Sequence, residues 1–424
     1  MEIIVGLSIG AILIGTASLG IAFMLRSTTT NQNLSTASQL TQGLISNIQS
    51  FSNSSWQNIY GLSKGSTNQY FLNASGTLYF AVQGQEGLVS NDITSGLVGE
   101  WGFDEANGTV AYDATGNSNN GTLTNSPTRA TSTCKISGCL NITGNSFVTV
   151  QDPASGVLDP TTEYSLSVWL NYATTTSYGF IFSKANGGSG GGYELFRNIG
   201  GAIRFSSCDL VGSCGGGYFD ITTSLSYNNN NWHFVVATAK TGSTANIYVD
   251  GVLVKQSGTI TQNNIANSYN LIIGARGSGG GGPFVGSIDD PRVYNRALSA
   301  SEVAQLYNIQ TFSRYFYIED VCRTNDSSGS ITSSTTPCPG GTADDPLTQK
   351  VTAVTQWIFG AGADQVSLSR YLSRWGNFSV RQSDWSGGSG QNGPITSPNN
   401  LYSTSTNVAV TSTLGSFQIL NLSQ

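Results

Sequence analysis

Two oxygen-rich turns hold the residues of this chain best suited to metal chemistry. The segment AYDATGNSNNGT packs Asp113, Asn117, Asn119 and Asn120 together, and Asp289 sits in SIDDPRVY. Calcium takes about six to eight oxygen ligands from carboxylates, amides and carbonyls, and a loop of this composition can wrap it. The same residues are common turn formers, because Asn and Asp hydrogen-bond locally. Both readings stand at this level. A second set, Tyr178, Tyr193, Arg204, Tyr218 and Arg276, lies near glycine-rich loops, where aromatic faces and a guanidinium fork suit sugar stacking and polar recognition. The glycine runs themselves, Gly187–Gly192, Gly215–Gly217 and Gly279–Gly282, lack a following Lys-Ser/Thr and a helix start, so they are not phosphate cradles. Catalytic pairs are harder to find. Asp104-Glu105 and Asp289-Asp290 are adjacent, and in a strand their side chains point to opposite faces. The single histidine, His233, follows Trp232 in a strand-like motif and is the sole candidate for a Ser-His-Asp set. No residue is assigned a catalytic role.

The composition must supply elements to position these groups. Only 10% of the 424 residues are charged, while 52 are Gly and 18 Phe, 18 Tyr and 7 Trp can fill cores. This is the profile of a turn-rich β protein of two or three domains. A net charge of −6 without a basic patch argues against nucleic acid as a partner. Six cysteines form three local pairs, Cys134-Cys139, Cys208-Cys214 and Cys322-Cys338. None has the CxxC spacing of zinc or redox sites, so disulfides in an oxidising compartment are expected.

Ile3 to Leu25 run without a charge, directly after Glu2, and an apolar run that long can span a bilayer. From Thr30 to Phe51 a helical beat of Leu34, Ala37, Leu44, Ile48 and Phe51 continues it. Short strand-like runs follow, NIYGLSK and QYFLNASGTLYFAV, and resume after Phe312 with RYFYIEDVC, DDPLTQKVTAVTQWIFG and QVSLSRYLSRW. Thr352, Val354 and Gln356 alternate with Val351, Ala353 and Trp357, as in a half-buried strand. The opening MEIIVGLSIGAILIG resembles the start of type IV pilins and type II secretion pseudopilins. In that family a glutamate stands fifth after a processing site preceded by basic residues and a glycine. Here Glu2 follows only Met1, so the resemblance implies a longer precursor. It also implies that Glu2 pairs with the amine terminus of a neighbouring subunit during assembly.

Between Leu97 and Tyr307 the pattern changes to many short alternating runs with frequent turn signals, as in a β-sandwich. The sharpest hairpin is ANIYVDGVLVK, with Asp250-Gly251 as a type I′ turn. Trp101, Trp169 and Trp232 lie inside strand motifs and are expected in the core. Four stretches carry a resemblance to the laminin-G-like, concanavalin A-type jelly-roll family. They are LVGEWGFDEANGTVAYDATGNSNNGTL, YSLSVWL, NWHFVVATAKTGSTANIYVDGVLV and FVGSIDDPRVYNRALSASEVAQLY. The family often places a structural calcium between such loops, which makes Asp113, Asn117, Asn119 and Asp289 the implied ligands. It also includes glucanases, whose E-x-D-x-x-E motif is absent here.

The expected fold is mostly β with one long N-terminal α-helix: a pilin-like α+β domain interrupted by a concanavalin A-like sandwich. The expected divisions are an N-terminal membrane helix (1–29), a pilin-like helix and first strands (30–96) and the sandwich (97–308). A pilin-like C-terminal sheet (309–385) and an extended tail (386–424) complete them. The expected function is a minor pilin or pseudopilin that presents a lectin-like, non-enzymatic sandwich to a surface glycan or protein. Its expected partners are the membrane and other pilin subunits. Its expected place is membrane-anchored, with the bulk extracytoplasmic at a cell surface or filament tip. A plain membrane-anchored surface lectin is the alternative, and a glycoside-acting enzyme a third.

Overall fold

The computed structural model describes residues 30–374 except 76–77, 91, 174–175, 186–190, 209–216, 262–264, 278–280, 309–310, 325–329 and 360–361. It also describes the paired strands Val408–Val410 and Phe417–Ile419. The chain forms two compact units, Met1–Ile318 with Val351–Arg370, and Glu319–Lys350 with Tyr371–Gln424.

In the first unit a helix spans 30–54. It buries Asn33, Ala37, Thr41, Leu44, Ile45, Ile48 and Phe51, one stripe at three- and four-residue spacing. Leu34, expected on that stripe, is 47% exposed. The stripe instead runs through polar residues, and the Thr41 hydroxyl lies 2.8 Å from that of Thr355. Ala37 packs with Phe312 and Trp357. The strand containing Val351 and Trp357 is buried on both faces, Thr352 and Val354 included, so the half-buried expectation is corrected. On one face Thr355 meets the helix, and on the other Thr352 bonds Ser369 of the neighbouring strand Gly362–Ser373.

Tyr70–Ser75 and Leu78–Gln83 pair antiparallel. Glu86–Val89 pairs with the start of Thr311–Arg323, Val89 opposite Thr311. The sandwich between them therefore leaves and rejoins one small sheet at facing positions.

The sandwich consists of two eight-stranded sheets. One runs through Val252–Thr259, Thr244–Val249, Trp232–Lys240, Glu163–Asn171, Gly286–Tyr294, Cys139–Ile142 and Thr128–Ala130, with Leu97–Glu100 beside Gly286–Tyr294. The other runs through Tyr218–Ser226, Ala202–Cys208, Gly192–Arg197, Gly179–Lys184, Leu271–Ile273, Phe147–Val150, Gly121–Thr124 and Val110–Ala111. Leu166, Val168, Leu195, Phe205, Val235 and Ile247 share the core between them. Asp250 and Gly251 both take positive φ (52° and 81°), as a type I′ turn demands. Trp101 is fully buried in this core, Trp169 belongs to a second cluster, and Trp232 packs half-buried against that cluster. The second cluster also holds Val303 and Leu306 from helix Ala300–Tyr307. Ser299 and Glu302 start this helix as a reciprocal capping box, a signal legible in SASE.

In the second unit, Ile331–Ser334 pairs with Val321–Arg323, and a Cys322–Cys338 disulfide closes the segment. Cys134–Cys139 forms in the first unit. Cys208 is disulfide-bonded, while its expected partner Cys214 lies outside the described residues.

The membrane-anchored placement is corrected. Among the described residues no helix is long and apolar enough to cross a membrane. The Ile3–Leu25 run and Glu2 themselves lie outside the described residues.

Candidate ligand-binding cleft

A cleft of about 340 Å³ opens on the outer face of the sheet that contains Gly192–Arg197. Strand alternation builds it. In Ala202–Cys208, Ile203 and Phe205 enter the core, and Arg204 faces the cleft. In Tyr218–Ser226, Phe219 and Ile221 go inward, and Tyr218 and Asp220 outward. In Gly192–Arg197, Tyr193 and Leu195 go inward, and Glu194 and Phe196 outward. Tyr178 and Arg276 complete the lining from the flanks of neighbouring strands.

Two guanidinium–carboxylate forks organise the cleft. Arg204 Nε donates to Asp220 Oδ1 at 2.6 Å, and its Nη2 donates to Oδ2. Tyr218 donates its hydroxyl to the same carboxylate at 2.6 Å. Burial pushes the Asp220 pKa up, but the hydrogen bonds from Arg204 and Tyr218 outweigh it and hold the carboxyl below its usual range. Arg276 donates to Glu194 through Nε at 2.7 Å and Nη2 at 3.0 Å. Phe180 and Phe196 stack at 4.7 Å beneath these pairs, with Arg276 over Phe180 at 4.9 Å and Arg204 over Phe196 at 5.2 Å. Tyr178 and Tyr218 remain 43% and 58% exposed.

The structure thus brings Tyr178, Arg204, Tyr218 and Arg276 around one cleft. Tyr193 is corrected: it is buried in the core against the Tyr164 ring at 5.3 Å. Sequence reasoning missed Glu194, Phe196, Asp220 and Phe180. Asp220 and Phe180 sit two residues from Tyr218 and Tyr178, Glu194 beside Tyr193, and Phe196 two beyond Glu194, so the strand parity was the missing signal.

A second cavity of about 330 Å³ lies among Asp92, Glu100, Asp104, Asp289, Asp290 and Arg292, with Arg314 and Asn47 also on its wall. Asp289 and Asp290 both line it, contrary to the opposite-face expectation. Asp290 adopts φ 51°, and the pairing with Glu163–Asn171 skips a step between Ser167 and Trp169. This bulge cancels the alternation. Arg292 reaches Asp92 at 2.5 Å, Glu100 at 2.8 Å and Asp290 at 3.0 Å. Burial first, and then the neighbouring acids, push Glu100 up to about 8 against the pull of Arg292. Burial raises Asp104, Asp289 and Asp290 as well.

Residues 143–304 match the family Laminin_G_3, described as the concanavalin A-like lectin/glucanases superfamily. The sandwich is a concanavalin A-like domain. Among curated proteins no relative matches the chain. Among solved structures, the binding domain of Paraclostridial mosquitocidal protein 1 aligns with TM-score 0.42 and 15% identity, over 66% of this chain and 76% of that one. Domain 4 of AbnA, an extracellular GH43 arabinanase of Geobacillus stearothermophilus solved with arabinotriose, gives 0.38 and 21%, over 50% and 98%. The botulinum neurotoxin serotype G binding domain gives 0.39 and 13%, over 65% and 81%.

The expected calcium ligands of the concanavalin A-like domain do not fit that ion as a set. Asp113 Oδ1 accepts from the Glu100 and Thr115 amides, and Oδ2 from the Asn119 amide at 3.0 Å. Asn117 and Asn119 turn their NH2 groups to the Val98 carbonyl. Asp289 serves another turn, where Oδ2 accepts from Lys135 and Ile136, both at 2.8 Å, and Oδ1 has no partner among the described residues. Among the described residues no group of three or more His, Cys, Asp or Glu could hold a metal ion. Asp113 is a turn organiser. Asp113→Ala is therefore expected to cost about 1–3 kcal/mol by stranding the buried Asn119 amide and the half-buried amides of Glu100 and Thr115. Calorimetric melting should show the same loss with calcium and with chelator, and a loss seen only with calcium would restore the ion.

Proposed function

We propose that the concanavalin A-like domain binds a glycan in the cleft over the Gly192–Arg197 sheet and performs no catalysis there. One arrangement carries this reading: two exposed tyrosines flank two planar guanidinium–carboxylate forks in one open cleft. Aromatic faces take the C–H side of a sugar ring, and the forks offer both donors and acceptors to its hydroxyls. Titration of the full chain against immobilised polysaccharides tests it. Tyr218→Ala and Arg276→Ala should each weaken binding roughly tenfold, while Tyr193→Phe should leave it unchanged. Equal binding by all three variants would move the site elsewhere.

A second reading concerns the host. The helix at 30–54 and the small sheet favour a pilin-like subunit that carries the sandwich as an insert, because Val89 and Thr311 face each other across one ladder. A domain inserted at facing positions leaves the host chain free to close. Replacing Val98–Asn308 by a short Gly/Ser bridge should leave a cooperatively melting remainder that retains the Cys322–Cys338 bond. A remainder that only aggregates would mean one continuous fold.

A further inference from the structure

The class of sugar follows from the charges of the same cleft, so this inference rests on the reading of that cleft as a glycan site. Among the described residues its four charged side chains cancel in two pairs, Arg204 with Asp220 and Arg276 with Glu194. Each pair is fork to fork, with Nε and Nη2 of the guanidinium committed to the two carboxylate oxygens. The whole chain carries −6.

An anionic ligand can form a fork of its own with the Nε–Nη2 edge of either guanidinium only by pulling it away from its carboxylate, and at the remaining N–H groups it meets a cation whose charge is already paired. The side chains of Asp220 and Glu194 are only 16% and 10% exposed, so the abandoned carboxylate would be left largely dry and unpaired. That penalty offsets the gain from a new ion pair. The net negative field also slows the approach of an anion. A neutral sugar meets neither obstacle. Adjacent hydroxyls can donate to the remaining carboxylate lone pairs and accept from the remaining guanidinium N–H groups, while both forks stay closed. The exposed faces of Tyr178 and Tyr218 then take the apolar side of the ring.

We infer that the cleft selects neutral sugars presenting adjacent hydroxyls and excludes uronic, sialylated and sulfated ones. The two forks act as its charge filter.

The full chain is titrated at about 0.15 M salt, where long-range attraction is screened. One panel holds neutral polymers (arabinan, xylan, galactan, mannan) and the other acidic ligands (polygalacturonate, alginate, heparin, sialyllactose). At least one neutral polymer should bind roughly tenfold or more tightly than any acidic ligand. Glu194→Gln should release Arg276 and add salt-sensitive binding to the acidic panel. A tighter acidic ligand in the wild type, lost in Arg276→Ala, would overturn the sugar class and leave the cleft as the glycan site. A folded Glu194→Gln protein with no acidic gain would overturn the charge filter. Binding to neither panel, or neutral binding untouched by Arg204→Ala and Arg276→Ala, would overturn the glycan reading together with the inference.

Discussion

Arg292→Met is expected to destabilise the protein by about 3–5 kcal/mol at pH 7.5, and by clearly less at pH 5. The Arg292 side chain is 4% exposed and reaches three carboxylates, Asp92, Glu100 and Asp290. Buried Asp289 and half-buried Asp104 stand on the same cavity wall. One cation cannot neutralise this set, which is why burial and the neighbouring acids hold Glu100 up at about 8. A carboxyl whose pKa is raised by folding contributes stability below its unfolded value, here near 4.5, and loses it as pH climbs towards about 8. The wild type should therefore lose stability across that window, and Glu100→Gln should flatten the slope. Removing Arg292 takes away the attraction that opposes protonation, so the slope should steepen. At roughly 2–4 °C per kcal/mol, the fall in Tm at pH 7.5 is on the order of 10 °C. Equal losses at both pH values, measured by calorimetry, would show that Arg292 acts through packing alone.

The second large effect is expected at Lys184. This ammonium is completely buried and touches Asp159 at 2.7 Å, Asp152 at 2.8 Å and the Asn267 carbonyl at 3.1 Å. It ties the chain near Asp152 and Asp159 to the strand Gly179–Lys184 and the turn at Asn267. Lys184→Met leaves two carboxylates with side chains 22% and 11% exposed and no cation between them. The expected cost is again about 3–5 kcal/mol, because breaking a buried pair strands its partners. Converting both partners as well, with Asp152→Asn and Asp159→Asn, should recover more than half of that loss. Chemical denaturation of the single and triple variants checks it. A single variant within about 1 kcal/mol of wild type would show that the charges are already hydrated.

Neither ion cluster was legible from the chain alone. Asp92, Asp152, Asp159 and Asn267 carry no local pattern that couples them to Arg292 or Lys184, since chain separation hides spatial contact. Elements defined by local chemistry read differently. Asp250-Gly251 specifies its turn because few other residue pairs tolerate two positive φ values. The sandwich is visible as alternation, and Trp101 as core, because burial on one face of a strand imposes a period of two. Tyr178, Arg204, Tyr218 and Arg276 could be named from their types beside glycine-rich loops. Whether a neighbour points the same way depends on where each strand begins, and a one-residue shift exchanges the faces. Hence Tyr193 enters the core and Glu194 the cleft.

Local geometry follows from the residues alone: turn positions, strand periodicity, the helical stripe and the pool of groups able to meet a sugar. Tertiary structure decided how those groups are used. The bulge at Asp290 turns two adjacent acids into one cavity. The amides of Glu100, Thr115 and Asn119 occupy the Asp113 oxygens that composition offered to calcium. Two carboxylates close over Arg204 and Arg276 and remove their net charge from the cleft. In each case the deciding partner is brought by another strand or turn, and its identity is a property of register and packing rather than of residue type.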